Sequence, residues 1–185
     1  MRVVAILAAV ALACTAFGCA REPAKGEILK VALAHLSQKF ESKSPGPRGI
    51  LLLHTRTTAW TAESLNAFVQ RSDPECAIPT ELYDAMLQHQ SSNELVSNLV
   101  GESDLWRLAS REIEERIPSL PPEQVDGAPV KTMVSVSLPG VTRDNSAALV
   151  VLSFTWSIHS AVARIWLEPS GSGWRVKCSR TDFYV

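Results

Sequence analysis

Residues 147–156 read AALVVLSFTW, ten positions of which only Ser153 and Thr155 carry a hydroxyl. Side chains of a strand alternate between two faces, so a strand this uniformly apolar has to be covered on both. It therefore belongs to the interior of a sheet with other layers packed above and below. Its neighbours carry the same two-residue period. KTMVSVSL (131–138) puts Val134, Val136 and Leu138 on one face and Lys131, Ser135 and Ser137 on the other. AVARIWL (161–167) and WRVKC (174–178) are strands joined by EPSGSG (168–173), a strong hairpin signal.

Upstream the period lengthens. Leu29, Ala32, Leu33, Leu36 and Phe40 recur at three and four, which predicts a helix from Glu27 to about Ser42, broken by SPGPRG (44–49). ILLLHTRTTAW (50–60) reads as a strand. Thr61 caps a helix to about Gln70, with Trp60 and Leu65 at hydrophobic-staple spacing, and Asp73-Pro74 ends it. Thr80 caps another, Glu81 to His89. Ser91 and Glu94 stand at capping-box spacing before LVSNLV (95–100), with Gly101 as the stop. From Ser103, the positions Leu105, Leu108, Ala109, Glu112, Ile113, Arg116 and Ile117 trace one helical stripe to Pro118. PSLPPEQVDGAP (118–129) reads as a linker between a helix-rich part, 27–117, and a strand-rich part, 130–185, of a single domain spanning 27–185. The expected fold class is α+β, with N-terminal helices packed on a C-terminal antiparallel meander sheet that is curved.

Residues 2–18, RVVAILAAVALACTAFG, hold one charge and then a short apolar run, the pattern of a cleavable secretory signal over 1–18. At Ala16-Phe17-Gly18-Cys19 a small residue directly precedes a cysteine, and this stretch resembles the lipobox of bacterial lipoprotein precursors, with Ala16 in place of the usual Leu. The resemblance implies cleavage before Cys19, lipid on its sulfur, and a tether over 19–26 that anchors the domain to the membrane. Ala20, which is not Asp, points on the same resemblance to the outer membrane, facing the periplasm. Two alternatives stand beside it: processing at Cys14, or cleavage without lipid, for example after Ala20, giving a soluble periplasmic or secreted protein. The apolar strand followed by a hairpin ending in Trp174-Arg175-Val176 is similar to the last strands of cone-shaped domains of the nuclear transport factor 2 type. It is similar also to the C-terminal parts of uncharacterised secreted bacterial proteins.

Removal of Arg2 with the leader leaves 17 basic residues against 19 acidic, a formal charge of −2. A chain so balanced has no basic excess with which to displace counterions from phosphates, so nucleic acid is not an expected partner. Once Cys14 leaves and Cys19 is acylated, Cys76 and Cys178 remain as an even pair in an oxidising compartment. A disulfide between them is expected; two buried thiols are the alternative.

The residues name no reaction. His35, His54, His89 and His159 fall in four separate elements and none has a partner at metal-binding spacing, so neither a metal nor a cofactor is expected. No G-x-S-x-G elbow or phosphate-binding glycine loop occurs. The run Arg111 to Arg116 (REIEER) reads as a solvated helix face. If strand alternation holds, Lys131, Ser135, Ser137, Ser153, Thr155, Arg164, Trp166, Arg175 and Lys177 share one sheet face. Arg164, Arg175 and Lys177 would then offer cations, and Trp166 an anchor, to an anionic ligand or envelope partner. The functional expectation is a non-catalytic binding module of the cell envelope. A periplasmic hydrolase assembled from distant residues would instead place a histidine beside a carboxylate or serine in a deep pocket. An inhibitor of an envelope-degrading enzyme would use an exposed loop such as 118–129.

Overall fold

The computed structural model of the chain describes residues 25–43, 48–69, 74–88, 93–116, 122–156 and 159–184. The leader, Cys14, Cys19 and most of the tether lie outside the described residues, as does the first part of the expected linker, 118–121. Six strands form the path of one sheet: β1 (Ile50–Leu53), β2 (Trp106–Leu108), β4 (Ala128–Val136), β6 (Ala148–Trp156), β7 (His159–Ser170) and β8 (Gly173–Tyr184). Two short strands, β3 (Gln124–Val125) and β5 (Gly140–Val141), pair with β4 and β6, making eight among the described residues. The helices are α1 (Lys25–Lys43), α2 (Ala62–Val69), α3 (Thr80–Gln88), the four-residue α4 (Val96–Leu99) and α5 (Arg111–Arg116), with a 3-10 turn at Pro74–Cys76.

The order across the sheet is β2-β1-β4-β6-β7-β8. β4, β6, β7 and β8 are antiparallel neighbours, as the meander reading requires. β1, however, runs parallel to both β2 and β4, so the sheet is mixed and not a pure antiparallel meander. The reason lies in β1 itself: Ile50, Leu51, Leu52 and Leu53 are all at most 4 % exposed, and four consecutive apolar side chains need cover on both faces. α1 covers the face of Leu51 and Leu53, and Ala109 with Ile113 the face of Leu52, while β2 and β4 take up the hydrogen bonds of its two edges.

β6 fulfils the double-burial expectation residue by residue. Val150, Leu152 and Phe154 join Leu51, Leu53, Val134, Val136 and Ile165 in one core cluster, closed by Ile28, Leu29, Leu33 and Leu36 of α1. Phe40 meets Phe154 edge to face, with ring centroids 5.2 Å apart. Leu149 and Val151 point the other way, with Val162, into a cluster closed by Leu65 of α2 and Leu82, Tyr83 and Met86 of α3. A third patch, Leu52 and Met133, lies against Ala109 with Ile113 of α5 beside it. α3 comes so close to β5 that a Cβ on Gly140 would collide with the backbone of Met86.

Several elements differ from the sequence reading. The stripe from Ser103 is helical only over Arg111–Arg116; Trp106–Leu108 instead forms the edge strand β2 beside β1. Pairing with an interior strand buries Trp106 and gives its indole N–H the Gly101 carbonyl at 2.7 Å, which outweighs a local helical period. Of the expected linker, Gln124–Val125 and Ala128–Pro129 pair as a hairpin around Asp126 and Gly127, both at positive φ, so this half is structured. The expected strand 50–60 is regular only to Leu53; the segment beyond bonds Thr58 to Val136 and Thr57 to Glu94 through the backbone. The helix before Gly101 begins at Val96, with no side-chain cap; Ser91 lies outside the described residues. Thr61 caps α2 as expected, its hydroxyl accepting from Ser64 N–H at 3.2 Å. The hairpin turn is where EPSGSG places it, with Gly171 at φ +59° between β7 and β8.

Candidate functional site

The expected polar face exists in register, and the helices cover much of it. Arg164 faces the same side as Val162, under α3, and is only 3 % exposed. Its Nε and Nη2 both donate to Asp182 Oδ2, at 3.0 and 2.7 Å, and Nη1 donates to the Tyr83 hydroxyl at 2.6 Å. Asp182, itself 6 % exposed, accepts at Oδ1 from Arg180 Nε at 3.0 Å. Arg164 is thus a buried, paired cation that joins β7, β8 and α3. It is no forked donor on a docking surface, because a charge at that depth persists only with its hydrogen bonds filled.

The other three expected binding residues meet near the β7–β8 hairpin. Lys177 Nζ sits 4.0 Å from the centre of the Trp166 ring, a cation–π arrangement. Glu168 accepts from Arg175 at 2.6 Å and lies 3.7 Å from Lys177. A register shift between Trp166 and Leu167 makes Lys177 an extra residue in β8, which brings it over the ring. The Trp166 indole nitrogen is buried and has no hydrogen-bond partner among the described residues. Beside it, Cys178 stands opposite Trp166 in register and is bonded to Cys76, with Cα atoms 5.8 Å apart. The expected disulfide is present, and it ties the 3-10 turn Pro74–Cys76 to β8 across 102 residues of chain.

Sequence reasoning missed two polar clusters built around histidines. At the end of β1, His54 Nδ1 lies 3.3 Å from Glu114 Oε1, and Glu114 is held by Thr55 N–H at 2.6 Å and Thr55 Oγ1 at 2.9 Å. A carboxylate oxygen accepts, so the hydrogen of this contact is on Nδ1. His54 N–H donates to the Val134 carbonyl, which continues the parallel register and sets His54 beside Ser135, itself opposite Ser153. Within the REIEER run, Arg111 and Glu115 are an exposed i,i+4 pair at 2.7 Å, as a solvated face implies, whereas Glu114 is turned inward.

At the opposite face, His35 Nε2 is 2.8 Å from Ser179 Oγ, and Lys39 Nζ donates to that oxygen at 2.5 Å. Burial, and then the charge of Lys39, hold the His35 imidazole below its ordinary pKa. His89 lies outside the described residues, as does the side chain of His159. No local signal could have announced either cluster, since each hydrogen bond that closes it joins residues 59 to 144 apart.

Surface hollows flank the sheet, and two are lined by described residues. One, of about 390 Å³, runs between α3 and the β5–β6 turn and is lined by Glu81, Asp84, Gln88, Arg143, Asp144 and Ser146. Asp144 Oδ1 accepts from Ser146 Oγ at 2.7 Å and Ser146 N–H at 3.1 Å. Its carboxyl is lowered to about 2, first by the Ser146 hydroxyl, then by that of Thr142 and the Ser146 backbone. The other, of about 370 Å³, lies between α1 and β1 and includes Gln38, Glu41, Arg48, Asp104 and Arg107. Neither is lined by a histidine. No family model, no curated protein and no solved structure matches this chain.

Proposed function

We propose that this chain is an exported protein, held by lipid at Cys19 in the bacterial envelope, whose domain docks onto another envelope component through the β7–β8 hairpin. The observation that carries the reading is the Cys76–Cys178 disulfide. Such a crosslink persists in oxidising compartments, which agrees with the apolar leader before Cys19. The docking patch is Trp166, Arg175 and Lys177, without Arg164. Glu168 offsets part of its charge, so the partner it suits is an anionic one presented with an apolar group for the indole.

Intact-mass measurement on the chain extracted from native membranes tests the anchor: the expected mass begins at Cys19, carries acyl groups and contains one disulfide. A mass beginning at Met1, or at Arg21 without lipid, overturns it. For docking, Arg175→Ala with Lys177→Ala is expected to cut the yield of a crosslinked partner at least fivefold. An unchanged yield discards the patch.

A further inference from the structure

We propose that Ser179 is an activated nucleophile, with His35 as its base and Lys39 as the cation that steadies its oxygen, forming a site for acyl transfer from carboxylic esters at the seam between α1 and β8. His35 and Lys39 are four residues apart on α1 and so stand one above the other on a single flank. Ser179 is opposite Ile165 in register, which turns it to the face that α1 covers. Three side chains, two of them 140 and more residues from the third, thus converge on one oxygen.

The tautomer proposed for His35 carries the lone pair on Nε2. A serine hydroxyl has one hydrogen, and an ammonium can only donate. Ser179 Oγ therefore accepts from Lys39 at 2.5 Å, and in that tautomer its own hydrogen points to His35 Nε2 at 2.8 Å. His35 can accept there only as the neutral imidazole, and burial beside a lysine keeps it neutral at pH 7. A nucleophile hydrogen-bonded to an unprotonated base, with a positive charge on the same oxygen to stabilise the alkoxide that develops, is the ground state this chemistry needs. All three residues are half-buried, and β8 ends the sheet order, so an acyl group approaches from the rim.

In the step proposed, Oγ bonds to the ester carbonyl carbon as its hydrogen passes to His35 Nε2. The C–O bond to the alcohol then breaks, and the leaving alkoxide takes that proton from His35. Water, deprotonated by the same nitrogen, attacks the acyl carbon; the Oγ–C bond breaks, the carboxylic acid leaves, and Ser179 regains its hydrogen. No other reactant is required. The site goes beyond the docking reading and stands apart from it, because Trp166, Arg175 and Lys177 belong to the other face of the hairpin.

The test uses the full chain, purified in detergent with its disulfide intact, and a fluorophosphonate probe. One adduct is expected, at Ser179 by peptide mapping, and none in Ser179→Ala. Its rate is expected to rise with pH as His35 loses its proton, below pH 6.5, and to be level by pH 8. His35→Gln keeps a hydrogen-bonding partner for Ser179 but no base, and is expected to slow labelling about a hundredfold. No adduct at Ser179, or equal labelling in a folded His35→Gln chain, overturns the proposal. So does a rate on the unmutated chain that is flat from pH 5 to 8, which reads out the base even if the variant does not fold. A cluster that merely pins α1 to β8 would give the unlabelled outcome.

Discussion

Arg164 shows what one residue can be asked to hold. Its guanidinium spans two strands and a helix, through Asp182 and Tyr83, at 3 % exposure. Removing one member of a buried ion pair leaves the other uncompensated, so Arg164→Ala is expected to destabilise the fold by about 3 to 5 kcal/mol, read from urea denaturation. Replacing Arg164 and Asp182 together by apolar residues of similar volume should cost far less, since no orphaned charge remains. His35 supplies a pH dependence of definite sign. Its folded pKa lies below the unfolded 6.5, so the unfolded chain binds the extra proton first. Stability is therefore full above pH 6.5 and is lost progressively as pH falls below 6.5 and through the folded value. Denaturation midpoints at pH 7.5 and 5.0 should converge in His35→Gln by the share that this residue contributes. Neither residue's role could be read from its neighbours in the chain. Arg164 sits in AVARIWL, where alternation correctly assigned its face but could not say that α3 lies over it.

At the scale of elements, alternation and capping were good guides wherever the hydrogen bonds were local. The Thr61 cap, the Gly171 turn and the antiparallel run from β4 to β8 follow from spacing alone. They failed where a segment bonds to something distant. Trp106–Leu108 carried a helical period, yet lies as a strand beside β1 because the interior strand offers it a ladder and a buried site for the indole. Gly140 is a second case in which an element's fit depends on its neighbour. β5 and α3 touch backbone to backbone there, so Gly140→Ala has to push α3 away from Leu149 and Val151. A loss of about 1 to 3 kcal/mol is expected, and thermal unfolding of the variant would show it. An unchanged midpoint would mean that α3 can shift without cost.

For the whole molecule, the decisive link is the bond that fastens the helical cover to the last strand of the sheet. Cys76 and Cys178 close a loop of 102 residues, and a chain-entropy estimate credits such a loop with about 4 to 5 kcal/mol. Reduction, or Cys76→Ser with Cys178→Ser, should lower unfolding stability by that order in denaturant titration, with α1 and the cluster beneath it least affected. Composition and cysteine parity made this pair legible before any fold was known. So did the apolar content of residues 147–156, which demanded a layer on each face of β6, because alternation sends every second side chain to opposite sides. What no local pattern could supply was which residues stand across from one another. The parallel insertion of β1, the burial of Arg164 and the meeting of His35 and Lys39 with Ser179 arise only when segments far apart in the chain are packed together. Periodicity fixes the face a side chain takes; its partner on that face is set by long-range packing, where burial and hydrogen-bond satisfaction are decided for all segments at once.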